Sequence, residues 1–155
     1  MAQLPYKNYN QTKIQTSDQL SLIILLYDGL SRFLRKGQRK IVEKDYEGAH
    51  HYLTRSRDIV NELLVTLRVE EGNKVAQNLR SLYVFMIGQI IEANLKKDAA
   101  MVDEVLKVAQ NLRDGWTQLK DQQVQLRQQK HQTSATRSSD SVRLPKKITK
   151  EHITT

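Results

Sequence analysis

Apolar and polar residues follow a helical period along most of the chain. The stretches 16–44, 46–71, 75–97 and 98–127 each repeat apolar residues three or four positions apart, which predicts four amphipathic helices. The last stretch is the most regular, with spacings of 3, 4, 3, 4 and 3 between Val102, Val105, Ala109, Leu112, Trp116 and Leu119. No strand-like alternation competes with this pattern.

The predicted helices have recognisable ends and short connections. Thr16 to Gln19 forms a capping box, Gly72 suits a left-handed cap after the second helix, and Asp98 suits the N-cap of the fourth. Long helices joined by short links pack as antiparallel neighbours. The sequence therefore predicts an all-α fold, an antiparallel up-down four-helix bundle over 16–128. An N-terminal arm or short capping helix over 1–15 precedes it.

Two helices carry more apolar surface than one core-facing stripe needs. On the first helix, Ile23, Leu26, Tyr27, Leu30 and Leu34 fill that stripe. On the third helix, Leu79, Leu82, Met86 and Ile90 fill it, and the run LYVFMI adds further apolar residues. The residues in excess are Leu22, Leu25, Gly29 and Phe33 on the first helix and Val84, Phe85 and Ile87 on the third.

Two explanations of this excess stay open. In the first, the excess residues pack against a second neighbouring helix or against the arm. In the second, they line an apolar groove that binds a partner helix. Gly29 and Gly88 lie inside helices, where glycine usually permits close approach by another backbone. In the arm, Tyr6, Tyr9 and Ile14 are spaced for docking on a surface, although the pattern alone favours a mobile terminus.

Composition and charge narrow the class of protein. The chain has 155 residues, enough for one domain, and no cysteine, which excludes disulfides and thiolate metal sites. It shows neither a signal peptide nor a membrane span, so we expect a cytoplasmic protein. The formal charge is +8, and six basic against two acidic residues give the Ser- and Thr-rich stretch 129–155 half of it. We expect this stretch to be a disordered basic tail.

Catalytic and metal-binding patterns are missing from the sequence. Glu47 and His50 form a single E-x-x-H, and a di-iron bundle needs two copies and two further carboxylates. There is no phosphate-binding loop or nucleophile motif, so we expect neither an enzyme nor a bound cofactor. A basic run on the first helix is more typical of a solvated face than of a nucleic-acid surface, because no aromatic platform is interleaved with it. That run comprises Arg32, Arg35, Lys36, Arg39 and Lys40.

Three segments resemble the FliS family of flagellar export chaperones. TSDQLSLIILLYDGLSRFL is similar to its first helix, and AQNLRSLYVFMIGQIIEANLKKDAAMVDEVLKVAQNLRDGWTQL to its third and fourth. The Y-x-x-Y of Tyr6 and Tyr9 matches its N-terminal arm. The resemblance covers about Pro5 to Leu119 and departs at Gly88 and Gln89, where relatives have arginine.

The resemblance implies an antiparallel bundle that binds the disordered C-terminal segment of flagellin and helps present it to the type III export gate. Flagellin helices then lie in surface grooves and displace the arm. Tyr6, Tyr9, Tyr27, Gly29 and Asn94 are the positions matched to the family. Helical phase alone assigns the other groove residues of the first and third helices, which are Leu22, Leu25, Phe33, Val84, Phe85 and Ile87. Ile14 is assigned from its spacing in the arm. Two alternatives remain, a regulatory bundle that binds another flagellar protein, and a basic nucleic-acid-binding bundle.

Overall fold

The protein folds into four helices that run along one another. A computed structural model describes residues 17–68 and 72–153, and the side chains of 18–68 and 72–136. The helices are α1 (Ser17–Val42), α2 (Tyr46–Thr66), α3 (Lys74–Lys96) and α4 (Ala99–Ile153). The described residues contain no strand, so the predicted all-α class is confirmed.

The helices that pack together are α1 with α2, α2 with α3, α3 with α4, and α4 with α1, which closes the bundle. This order makes α1 and α3 diagonal partners, as α2 and α4 are. It is the up-down-up-down arrangement that the short connections predicted. As a result, α2 lies between α1 and α3 on one side of the bundle, and α4 lies between them on the other.

The core consists of the stripes that the periodicity indicated, with one shift. Leu30 and Leu34 from α1, Leu53 and Val60 from α2, and Val102 and Val105 from α4 are all buried. In α3 the buried residue is Tyr83, whereas Leu82, which was predicted for the core, is partly exposed. Tyr83 extends the spacing of Leu79, Met86 and Ile90 to 4, 3 and 4, so it falls nearer the centre of the buried face.

Polar side chains cap the N-termini of three helices. The amide of Gly48 donates to Asp45 Oδ1 at 3.0 Å, that of Ala76 to Asn73 Oδ1 at 3.2 Å, and that of Ala100 to Asp98 Oδ1 at 2.9 Å. These bonds satisfy amides that the first helical turn leaves without partners. The predicted role of Asp98 is confirmed, whereas Thr16 lies outside the described residues.

The end of α2 differs from the prediction. The helix stops at Thr66, more than a turn before Glu71, because Leu67 takes an extended conformation with ψ 126°. Gly72 has the left-handed φ of +85° that was expected, but it precedes Asn73 at the start of α3 and does not cap α2.

The end of α4 also differs, since the helix continues to Ile153, beyond the predicted helical stretch 98–127. Every described side chain from Val124 to Thr136 is exposed. Up to Thr136, therefore, the extension is helical without burial against the bundle. Disorder of the tail 129–155 in solution stays a prediction. No helix in the described part of the chain is long and apolar enough to cross a bilayer.

Candidate partner-binding surfaces

The first candidate surface lies on α1, along its side that faces α2. Leu22, Leu25, Gly29 and Phe33 are spaced by 3, 4 and 4, which places them on one face of the helix. Leu22 is 46% exposed and Leu25 is 63% exposed, although both side chains are wholly apolar. We call these four residues the α1 ridge.

Contacts with α2 bury the C-terminal half of the α1 ridge. Phe33 is half-buried and stacks on Tyr52 of α2, with ring centroids 6.2 Å apart. Gly29 is buried, and a Cβ added there would lie 3.6 Å from Ile59 Cδ1, an ordinary contact. A side chain therefore covers Gly29, and the backbone approach that we expected is absent at this glycine. The exposed part of the ridge is its N-terminal half.

The second candidate surface lies on α3. Val84, Ile87, Ile91 and Leu95 follow one another at spacings of 3, 4 and 4. They share the side of the helix occupied by Asn94, whose Nδ2 lies 2.9 Å from Nδ1 of His50 on α2. Val84 is 54% exposed, and Ile87 is half-buried against the core. We call these four residues the α3 ridge.

Phe85 lies apart from the α3 ridge. It is 48% exposed and stands one turn before Gln89, whose Nε2 donates to Glu104 Oε2 of α4 at 2.7 Å. Phe85 therefore lies on the side of α3 nearer to α4. The bond from Gln89 is the polar contact that this chain makes where relatives were expected to carry arginine.

The predicted groove residues thus do not meet in one groove. Because α1 and α3 are diagonal in the bundle, the α1 ridge and the α3 ridge lie on opposite sides of α2. A partner that contacts both must cross α2 or wrap round the end of the bundle. Tyr6, Tyr9 and Ile14 lie outside the described residues, so their place relative to the ridges stays a prediction.

Tyr27 belongs to the core and not to the surface. It is fully buried, and its hydroxyl lies 2.6 Å from that of Tyr83, which links α1 to α3 across the bundle. Burial raises the pKa of both hydroxyls above the ordinary tyrosine value. Tyr27 can therefore influence a partner only through the packing beneath the ridges.

Asn94 is held by bonds within the chain. Besides its contact with His50, its Oδ1 accepts a hydrogen bond from Lys97 Nζ at 2.5 Å. Lys97 has the left-handed φ of 52° that ends α3. These bonds fix the turn between α3 and α4 against the start of α2. Asn94 is half-buried, and its observed role is to join helices.

Two features of the site were not predicted from the sequence. The first is the Tyr27–Tyr83 pair, for which the phase of Tyr83 with Met86 and Ile90 is a readable signal. The second is Gly37, where an added Cβ would lie 2.9 Å from Leu53 Cδ2. Here, and at neither Gly29 nor Gly88, glycine permits a close approach between helices. The described residues hold no cluster of His, Asp and Glu able to bind a metal ion.

A helical bundle with apolar ridges left exposed has the architecture of a protein-binding module. A family model described as "Flagellar protein FliS" matches residues 1–123, so the chain belongs to the FliS family. It is 29% identical to the flagellar secretion chaperone FliS of Bacillus subtilis over 116 residues, which is 75% of this chain and 86% of that protein. Its identity to the Campylobacter jejuni FliS is 31% over 116 residues, covering 75% and 91%. With the Escherichia coli FliS it shares 28% over 107 residues, covering 68% and 79%.

Proposed function

We propose that this protein is a flagellar export chaperone that binds the disordered C-terminal segment of flagellin in the cytoplasm. Flagellin helices then lie against the α1 ridge and the α3 ridge, so that flagellin does not polymerise before export. The bound segment is delivered to the flagellar type III export apparatus. The observation that carries this proposal is the exposure of two apolar ridges on a bundle of the FliS family.

The free energy gained by burying the exposed apolar side chains can be compared with the cost of ordering the flagellin segment. Burying a leucine or phenylalanine side chain fully contributes about 1.5–3 kcal/mol, so a side chain that is already half-buried has roughly 1 kcal/mol left to gain. Leu22 and Leu25, the exposed side chains of the α1 ridge, are in this range of exposure. Ordering a disordered segment costs about 2–5 kcal/mol. One ridge alone roughly offsets that cost, and we therefore expect flagellin to contact both ridges.

The test is a calorimetric titration with the C-terminal segment of flagellin from the same organism, at low and high salt. We expect salt-tolerant binding, a negative heat-capacity change and a gain of helix. Binding that falls steeply with salt would favour the nucleic-acid alternative. No binding would contradict flagellin as the partner.

The α1 ridge is tested with Leu25→Asp, since Leu25 is the most exposed of its side chains. Because the charge is placed in a contact, we expect at least about a tenfold loss of affinity with helicity unchanged. Leu126→Asp is the matched control: Leu126 is 57% exposed, but it lies on the extension of α4. Equal affinities for the two variants would show that the α1 ridge is not a contact. Phe33→Asp is less clean, because Phe33 also stacks on Tyr52.

Removal of residues 1–15 tests the arm. If the arm contacts flagellin, affinity falls, and if the arm covers a ridge in the free protein, affinity rises. An unchanged affinity would exclude both roles for Tyr6, Tyr9 and Ile14.

A further inference from the structure

A second surface of α1 faces α4 and differs in chemistry from the α1 ridge. Arg35, Arg39 and Val42 follow one another at spacings of 4 and 3, which places them on one side of the helix. On this side Gln38 Nε2 donates to the carbonyl of Ala99 at 2.9 Å and to Asp103 Oδ1 at 2.7 Å. The surface therefore lies where the end of α1 meets the start of α4.

A cleft opens at this junction. It is a shallow depression open to solvent, with a volume of about 410 Å³. The lining residues are Arg35, Gln38, Arg39, Val42 and Ala99. The bonds from Gln38 hold the two helices together at the floor of this region. We call it the arginine cleft.

The arginines of this surface have no partner within the described part of the chain. Arg35 and Arg39 are exposed, and neither of them forms an ion pair or side-chain hydrogen bond there. Nearby cations behave differently: Lys40 Nζ lies 3.4 Å from carboxylate oxygens of Glu43 and Asp45. Val42, at the end of the cleft, is 71% exposed. Neither the charges nor this apolar side chain is used by the fold.

We propose that the arginine cleft binds an acidic segment of a partner protein. Carboxylates of the segment pair with Arg35 and Arg39, since a guanidinium presents a planar fork that matches a carboxylate. An apolar side chain of the same segment packs against Val42. This partner is distinct from the one that the apolar ridges bind.

The charge of the chain argues against an internal occupant. Residues 1–16 contain two lysines and no acidic residue, and residues 137–155 contain five basic residues and two acidic ones. Both segments would be repelled by Arg35 and Arg39. The complementary charge must come from another molecule.

A protein segment fits the surface better than a nucleic acid does. Arg35 and Arg39 are about one helical turn apart, roughly 6 Å along the helix, whereas tight nucleic-acid binding uses a longer track of phosphate contacts. Phe33, the nearest aromatic residue in α1, lies on the opposite side of the helix from Arg35, so α1 offers no stacking platform beside these arginines.

The experiment uses fluorescence anisotropy with the full chain. The probe is a short labelled peptide rich in glutamate with a central pair of leucines, and a peptide with glutamine in place of glutamate is the neutral control. Arg35→Gln/Arg39→Gln removes the proposed contacts. Arg68→Gln/Arg80→Gln is the matched control, because both arginines are exposed and lie at the opposite end of the bundle. Glutamine keeps helix propensity, and circular dichroism checks that both variants fold.

We expect the acidic peptide to bind and the neutral peptide not to bind. Affinity falls at least about tenfold in Arg35→Gln/Arg39→Gln and changes little in the control. Val42→Ser, and separately serine in place of the peptide leucines, weaken binding further.

Equal losses of affinity in the two double variants would show that binding depends only on the net charge of the protein, and this would overturn the proposal. So would no binding of the acidic peptide, or tighter binding of single-stranded oligothymidine with the same dependence on Arg35 and Arg39. None of these outcomes depends on flagellin binding, so this proposal and the proposed function fail separately.

Discussion

Two glycines inside helices should respond to the same substitution with opposite signs. A Cβ added at Gly88 would meet no atom of the described residues within 4 Å, so Gly88→Ala gains helix propensity without a clash, about 0.8–1 kcal/mol. At Gly37 the added Cβ lies 2.9 Å from Leu53 Cδ2 and 3.0 Å from Cγ, and Leu53 is fully buried. Overpacking of that kind costs about 1–3 kcal/mol, which exceeds the gain in propensity.

Urea and thermal denaturation measure both changes, with the fluorescence of the single tryptophan as the signal. We expect Gly88→Ala to raise the midpoint of thermal unfolding by roughly 2–8 °C, and Gly37→Ala to lower it. A destabilising effect of Gly88→Ala would contradict the inference that the space beside Gly88 is open. If both variants were more stable than the parent protein, Leu53 would have room to move, and this would contradict the inference that α1 packs closely on α2 at Gly37.

Gly88→Ala also tests the α3 ridge. Gly88 lies between Val84 and Ile91 on the exposed side of α3, where nothing in the described chain approaches it. In the proposed complex a flagellin helix is the backbone that approaches this glycine. We then expect Gly88→Ala to weaken flagellin binding while it stabilises the free protein. Unchanged affinity would mean that the partner does not pack closely at Gly88.

Two further predictions concern the buried tyrosine pair. Tyr27→Phe should lower the free energy of unfolding by about 1–3 kcal/mol, because the Tyr83 hydroxyl loses a partner, and Tyr27→Phe/Tyr83→Phe should cost less than the sum of the single variants. Additive costs in urea denaturation would contradict this bond. Because burial raises the pKa of both tyrosines, their hydroxyls stay protonated in the folded state at a pH where the unfolded chain ionises. Stability from the pair is therefore complete below about pH 10 and declines above it. The double phenylalanine variant should lose this alkaline decline in denaturation midpoints recorded from pH 8 to 11.

The pattern of apolar residues determined the helices and most of the core. Spacings of three and four residues fix which side of a helix is apolar whatever it packs against, which is why Leu30, Leu53 and Val105 could be assigned to the core from the sequence. Local signals also sufficed for Asp98, since a carboxylate at an N-cap bonds amides only two or three residues away. The excess apolar surface of α1 and α3 was visible in the same way.

Only the tertiary structure decided how these features combine. The order of helices round the bundle separated the α1 ridge from the α3 ridge, because diagonal helices cannot share a groove. The contact of Gly37 with Leu53 and the bond between Tyr27 and Tyr83 each join residues far apart in the chain. Periodicity reports which side of a helix is buried, but it does not report which helix covers that side. For the same reason, the arginines that read as a solvated face on α1 could be placed beside a cleft only once α4 was in position.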